Sequence, residues 1–444
     1  VNGPAAGGMI AALRAHLADR PFLRNVSIML GGSAAGQLVS LLSSPVLTRL
    51  YTPRQFGILS VYSALLSILV VMGSLRYELT IPMARSEKDA LNLTALCVCV
   101  LLATTVAIAG GSFALPEHAI DILWPTPVSG DSLAWYRGLF AVGFLCLGGY
   151  YIALYVATRD HAFDAIAQTR LYQGIVGPAS QIGFALLGWG APGLLAGSIL
   201  GQSAGTLGLF KRVLRSRGTL LRHVSWRRMA ALATRYRRFP LIASWAALID
   251  AAGGSQLLYL AVSTTYSARI AGFIFLAERV VARPLSIVGT SVLQVYMAEA
   301  SRTASTDPAR LKSRFRQVVS RQFALALAWI LVSNLAAAVL FARLFGANWS
   351  DAVVYLQAMS LGYLSQAIVL PVFHTLQILE KQALAAGWQI ARLVLVAATF
   401  FAAWAFKLEA PVAILGYSVA QAICCGALLV LMTKSIDKLQ EAQA

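Results

Sequence analysis

Apolar runs long enough to cross a bilayer recur along this chain, at 25–47, 57–83, 88–114, 133–157, 162–187, 190–212, 239–263, 267–297, 318–345, 351–379, 382–406 and 410–433. Hydrocarbon offers a backbone N–H or C=O no partner, so a run of about 20 such residues must bond within itself, as a helix does. Twelve spans predict an all-α integral membrane protein. Charged residues are 12% of the chain and mean hydropathy is +0.70, where a soluble domain carries about 25% charge. The longest expected outside loop, 115–132, leaves no room for a soluble catalytic domain, so the chain is not expected to be an enzyme.

A net charge of +18 raises the question of nucleic acid, and the placement of the charges answers it. With the N-terminus in the cytoplasm, the inside segments hold 25 basic residues, from Arg14, Arg20 and Arg24 through the Lys211–Arg238 block to Lys438, and the outside segments hold five. That bias follows the positive-inside rule, puts both termini in the cytoplasm and leaves contact with anionic lipid as a secondary use. No nucleic-acid partner is expected. The first 24 residues lack a continuous apolar core before a small-residue cleavage site, and 9–20 reads as an amphipathic interfacial helix. The five cysteines all fall inside spans and read as small buried hydrophobes.

Two stretches, YTPRQFG at 51–57 and YSARIAG at 266–272, share the pattern Tyr-[Thr/Ser]-[Pro/Ala]-Arg-x-x-Gly, 215 residues apart. The same offset carries the start of the first span onto that of the seventh. The reading is therefore a duplication: 1–24 a cytoplasmic amphipathic segment, 25–212 a six-helix N-lobe, 213–238 a basic connector, 239–433 a six-helix C-lobe and 434–444 a cytoplasmic tail. Six spans per half keep both copies in one orientation, as parallel repeats, and place a substrate site at the seam. The connector is long enough for an amphipathic helix and reads as a tether.

GQSAG at 201–205 fits Gly-x-Ser-x-Gly but sits in an apolar span, where it reads as small-residue helix packing rather than as a nucleophile elbow. No Gly-Lys dipeptide occurs, so a phosphate loop is absent and energy must come from an ion gradient. The scattered histidines give no metal spacing. No metal and no organic cofactor are expected, with a proton or sodium as the coupling ion.

Charges inside spans must face a cavity or a partner, because burying one at the bilayer centre costs about 2.5–3.5 kcal/mol even on the lenient insertion scale. Six arginines qualify, Arg76, Arg137, Arg170, Arg279, Arg283 and Arg392, against Glu78, Asp250 and Glu278, with Asp164 near a mouth. The surplus guanidinium implies an anionic substrate, and its planar fork suits phosphate. Arg279 and Arg283 lie one turn apart, Ser286 and Thr290 continue that face, and Pro284 interrupts the helix beside them. Ser33, Gln37, Ser40 and Ser44 make a matching polar stripe on the first span. Against the cavity reading stands a structural ion pair of Arg279 or Arg283 with Glu278 or Asp250, and serine and glutamine that only glue helices. Arg76 and Glu78, about 200° apart on a helix, should not share a groove. Arg137 lies near the outer end of its span, where it can snorkel. Arg170, beside Gln168 and Gln173, and Arg392, near Gln389, sit toward the cytoplasmic ends, where an anionic headgroup would arrive.

The segments 43–69, 74–93 and 276–301 resemble the oligosaccharide-lipid flippases of the polysaccharide biosynthesis family, within the multidrug, oligosaccharidyl-lipid and polysaccharide exporter (MOP) superfamily. The likeness rests on Leu50 to Gly57, on the Arg-Tyr-Glu at Arg76 to Glu78, and on the Arg-x-x-x-x-Pro-x-x-x-Val-Gly run from Arg279 to Gly289. It implies two six-helix lobes in a V, alternately open to either side of the bacterial inner membrane, moving an undecaprenyl diphosphate-linked oligosaccharide outward through a cationic cavity. Arg76, Arg170, Arg279, Arg283 and Arg392 would meet the anionic headgroup. Glu78, Asp250 and Glu278 are the candidates for coupling to proton or sodium entry. The product would be O-antigen, capsule or exopolysaccharide, with a polysaccharide polymerase and a chain-length regulator as partners. A multidrug exporter of the same architecture would need an acidic cavity, the lipid II flippase has two more spans, and a membrane polymerase would need large outside loops.

Overall fold

The computed structural model describes residues 21–114, 131–217 and 222–443. The interfacial helix expected at 9–20 and residues 115–130 of the outside loop lie outside them. Among the described residues the chain is helical and contains no strand.

The first half begins with α1 (Pro21–Leu42) and α2 (Ser44–Leu50). They are separate because Pro45 has no N–H for the carbonyl of Leu41, so the helix breaks at Ser43. Thr52 then opens α3 (Pro53–Leu69) with a capping box: its hydroxyl accepts from the Gln55 N–H, and the Gln55 side chain accepts from the Thr52 N–H at 2.8 Å. α4 (Glu87–Ala114), α5 (Asp131–Arg159), α6 (Phe163–Leu186) and α7 (Gly190–Ser203) follow, with α8 (Thr206–Arg217) and α9 (Trp226–Arg235) leading into and forming the connector. The second half contains α10 (Ser244–Ala252), α11 (Ser255–Thr265), α12 (Ala268–Ala277), α13 (Arg283–Thr306), α14 (Pro308–Phe345), α15 (Ala352–Val369), α16 (Thr375–Ile378), α17 (Gln382–Ala405) and α18 (Ala410–Gln443).

Among the described residues eight helices are long and apolar enough to cross a membrane, and α10 with α11 makes a ninth such unit bent by 57°. These nine coincide with nine of the twelve expected spans. The first, fifth and eighth remain, and all three send polar side chains into the centre of the molecule. The eighth is interrupted by a π-turn over Glu278–Ala282, where the Arg283 N–H reaches back to the carbonyl of Glu278. Pro284 explains the wide turn, since it supplies no N–H and its ring would strike the carbonyl four residues earlier.

The second span also departs from a straight helix. α3 passes through a 3-10 turn and ends, and Leu75 and Arg76 take left-handed backbone angles, φ 50° and 62°. Arg76 and Glu78 are therefore not on one α-helix, and the 200° separation does not apply.

Within the first half α1 packs on α6 and α6 on α7; in the second, α15 packs on α18 and α14. Gly201 of the GQSAG run lies against Gly177 of α6, backbone to backbone, in a helix crossing rather than a strand-to-helix elbow.

The connector is docked onto the first half. Ser225 caps α9, whose Met229 and Leu232 are buried while Trp226 and Arg227 face outward. Fully buried Asn92 of α4 donates to the carbonyls of Lys88 (2.7 Å) and His223 (3.1 Å) and accepts from the Ser225 N–H (3.0 Å). Arg228 pairs with Asp89 at 2.9 Å. Asn92→Leu removes the partner of the His223 carbonyl and of the Ser225 N–H, a loss of about 0.5–1.5 kcal/mol for each hydrogen bond. Tryptic cleavage of the purified variant at Arg222 or Arg227 is expected to accelerate about tenfold or more. An unchanged rate would mean the connector is held by other contacts.

Candidate substrate cavity

The two copies of the repeated motif meet at the seam. α3 and α12 form the principal contact between the halves. A Cβ on Gly57 would overlap the carbonyl oxygen of Ala268, and one on Gly272 would overlap that of Pro53, both well inside the 3.0 Å that side-chain carbons do not cross. Ala268 is the counterpart of Pro53 at the 215-residue offset, and Gly272 that of Gly57. The contact is thus reciprocal, in the manner of a two-fold interface. The flanking residues repeat as well. Thr52 and Ser267 each cap their helix. Tyr51 donates to the carbonyl of Gln181 at 2.7 Å, and Tyr266 to that of Leu408 at 2.9 Å.

Fully buried Trp349, between α14 and α15, completes this seal. Its indole N–H donates to the carbonyl of Thr48 at 2.9 Å, and its ring stands edge-on to Phe56 (5.0 Å) and Phe273 (6.0 Å). Arg49 adds a bond from its guanidinium to the carbonyl of Arg343 at 3.2 Å.

From the seal, α3 and α12 run on into a cavity of about 400 Å³ between the halves. α3 presents Leu59, Ser63 and Ser67; α12 and the π-turn present Phe275, Glu278 and Arg279, and α13 presents Arg283. Gln37 and Ser40 of α1, Tyr150 and Tyr151 of α5, and Arg170, Gln173 and Gln181 of α6 also line it. Among the described residues four charged side chains face this space: Arg170, Arg279, Arg283 and Glu278.

Arg279 reaches across the seam. Its Nη2 donates to the carbonyl of Ser40 at 2.6 Å, to the Ser40 hydroxyl at 2.9 Å and to the Ser43 hydroxyl at 3.5 Å. The hydroxyls of Ser43 and Ser44 also bond the Ser40 carbonyl, beside the break that Pro45 imposes. Glu278 does not pair with either neighbouring arginine; it accepts a hydrogen bond from the hydroxyl of Tyr259. Among the described residues no carboxylate forms an ion pair with Arg170, Arg279 or Arg283. The structural-pair alternative for Arg279 and Arg283 is thereby removed. Arg170 stacks on Tyr150 at 5.3 Å and is exposed.

Other expected site residues lie elsewhere. Arg76 is outside the cavity and pairs with Glu78 at 3.7 Å, while the Ser74 hydroxyl holds the other oxygen of that carboxylate. Both follow from the left-handed turn, which folds the two side chains together. Arg392 is also outside; it stacks on Trp388, one turn back along α17, at 5.0 Å. Arg137 lies over Phe113 at 5.3 Å. Asp250 is exposed and away from the cavity. The stripe divides: on α1 Gln37 and Ser40 face the cavity and Ser33 accepts a bond from the Gln37 amide, while Ser44, the first residue of α2, is fully buried. Tyr259, Ser63, Ser67, Tyr151 and Gln202 were not anticipated. Ser63 had a signal, since it occupies the Glu278 position in the first copy of the repeat.

A family model described as polysaccharide biosynthesis protein matches residues 46–354. No curated protein matches the chain. Among solved structures it is similar to the lipid II flippase MurJ in an inward closed conformation, at 12% identity and TM-score 0.69, over 94% of this chain and 90% of that one. It is also similar to an inward-facing multidrug resistance MATE family transporter of the MOP superfamily, at 15% identity and TM-score 0.66, over 92% and 96%. A MOP superfamily transporter from Pyrococcus furiosus, described by the reverse polarity of its binding pocket, aligns at 15% identity and TM-score 0.55, over 94% and 95%. At these identities the likeness is one of fold, and this chain shares the helical architecture of those multi-pass membrane proteins.

Proposed function

Because the chain belongs to the polysaccharide biosynthesis family, we propose that it carries undecaprenyl diphosphate-linked oligosaccharide repeat units across the bacterial inner membrane, for O-antigen, capsule or exopolysaccharide. The observation that carries this reading is the cavity between the halves, where three guanidinium groups face one carboxylate. A diphosphate meets such a surface with paired, charge-assisted hydrogen bonds. An organic cation is repelled by it, which disfavours a multidrug exporter. Transport without covalent chemistry suits a cavity of this kind, and the polyprenyl tail would stay in lipid. With the cytoplasmic placement of the termini that the basic residues imply, the seal lies on the outer side and this state would open inward. A polysaccharide polymerase and a chain-length regulator would act on the delivered unit.

Glu278 is the coupling carboxylate of this proposal. It is the one of the three candidates that lines the cavity, while Glu78 is engaged by Arg76 and Ser74 and Asp250 is exposed. Proton or sodium entry at Glu278 would change the charge beside Arg279 and so its hold on Ser40.

The test uses proteoliposomes carrying undecaprenyl diphosphate-N-acetylglucosamine, with sugar that reaches the outer leaflet labelled by an impermeant galactosyltransferase. Transfer is expected to require the protein and to rise with an imposed proton or sodium gradient. Glu278→Gln should still bind the lipid and lose the gradient dependence. Ethidium efflux with no transfer of the saccharide would overturn the proposal in favour of a drug exporter.

A further inference from the structure

The duplicated helices enter the cavity side by side from the seal and carry different chemistry. At the 215-residue offset Ser63 stands where Glu278 stands, Ala64 where Arg279 stands and Ile68 where Arg283 stands. The ionic wall therefore belongs to the second copy alone. Around α3 the neutral character continues, with Tyr151 from α5, Gln173 from α6, and Ser198 and Gln202 from α7. Among the described residues no carboxylate from the first half lines the cavity, and Arg170 is its single cation there.

The amide groups on this wall are held in one orientation. Gln173 Nε2 donates to the Gln202 carbonyl at 2.8 Å, and Gln202 Nε2 donates to the Ser198 hydroxyl at 3.0 Å. One N–H of each amide is thus engaged, which fixes the orientation and leaves the Oε1 atoms of Gln173 and Gln202 as acceptors. Tyr151 is exposed at 38% and packs beside Tyr150 with ring centroids 5.7 Å apart. Acceptors beside an open aromatic ring suit a ligand with many hydroxyl donors and an apolar C–H face, which is a neutral sugar. A phosphate needs donors, and two of the three guanidinium groups that line the cavity, Arg279 and Arg283, stand together on the opposite wall.

We propose that Ser63, Tyr151, Gln173 and Gln202 form a subsite for the neutral sugar of the lipid-linked saccharide, while Arg279 and Arg283 take its diphosphate. This rests on the function proposed above. The ligand then bridges the halves, sugar on the first and diphosphate on the second, so that binding draws on both walls at once.

The experiment compares two probes on the purified full chain in detergent: undecaprenyl diphosphate and undecaprenyl diphosphate-N-acetylglucosamine, with affinities read by microscale thermophoresis. Wild type should bind the sugar-bearing probe more tightly. Tyr151→Ala and Gln202→Leu are expected to weaken that probe about tenfold, the scale of one lost contact, and to leave undecaprenyl diphosphate within about twofold. Tyr151→Phe keeps the ring and should bind as wild type does. Arg279→Ala should weaken both probes. If the wall variants weaken both lipids equally, or neither, the sugar subsite is wrong while the Arg279 result still upholds the diphosphate reading. If Arg279→Ala changes neither affinity, or wild type binds neither probe, the functional reading fails and takes the subsite with it.

Discussion

A single methyl group on Gly57 is expected to hold the seal open and stop export. The Cβ of Gly57→Ala would fall on the carbonyl oxygen of Ala268, and that of Gly272→Ala on the carbonyl of Pro53. Neither obstacle is the tip of a side chain that could swing away; both are backbone. The halves must therefore separate, and an overpacked contact costs about 1–3 kcal/mol, at times more. Placed on one side of a two-state equilibrium, that energy shifts closed against open about 5–150-fold. The reciprocal geometry makes a further demand, that both variants behave alike although they lie in different halves. Spin labels at exposed Arg54 and Asp351, one in each half, should show a longer and broader distance in either variant than in wild type. Surface polysaccharide should be lost with membrane abundance intact. Gly110→Ala and Gly183→Ala serve as controls, because a Cβ at either meets nothing within 4 Å. An unchanged distance with normal export in Gly57→Ala would show that the seal does not govern transport.

The seal also shows which features were legible before any coordinates. The Tyr-x-x-Arg-x-x-Gly pair pointed to a seam because identical chemistry at a fixed spacing in a membrane chain implies equivalent places in two bundles. Arg279 and Arg283 were legible because charge in an apolar span needs a destination and Pro284 marks a break in the helix. Arg76 was misread, since the turn that folds it onto Glu78 runs through left-handed Leu75 and Arg76, residues whose side chains disfavour that conformation and so give no signal for it. Ser44 was misread because a heptad-like stripe assumes one straight helix, whereas Pro45 ends α1 at Leu42 and leaves Ser44 to open α2. Arg392 had a local partner in sight, Trp388 four residues before it, and a cation over an aromatic face is a sufficient destination for the charge. The bond from Tyr259 to Glu278 depends on how α11 packs against the π-turn, which no periodicity encodes.

Loss of the Arg279 guanidinium should abolish export by a different route from the seal variants. Arg279→Ala removes the donor that binds Ser40 across the seam and one of the guanidinium groups proposed to hold the diphosphate. A hydrogen bond to a charged group contributes about 1.5–3 kcal/mol, so surface polysaccharide in a complemented deletion strain should fall by about tenfold to a hundredfold, with membrane abundance retained. Arg283→Ala should do the same, because that exposed side chain lines the cavity with no carboxylate to engage it. Normal export in both variants would reject the site. Arg279→Lys separates charge from geometry. A lysine carries the charge without the planar fork, so only partial recovery is expected, and full recovery would count against paired recognition of phosphate. Arg170→Ala should be milder, since its charge already rests on Tyr150, and Arg392→Ala milder still. Arg76→Ala should differ in kind. It leaves Glu78, with its side chain only 7% exposed, without its counter-ion, and an uncompensated buried charge is strongly destabilising. Its phenotype should be lower membrane abundance, recovered in Arg76→Ala/Glu78→Gln, whereas no second substitution at Glu78 should restore export to Arg279→Ala.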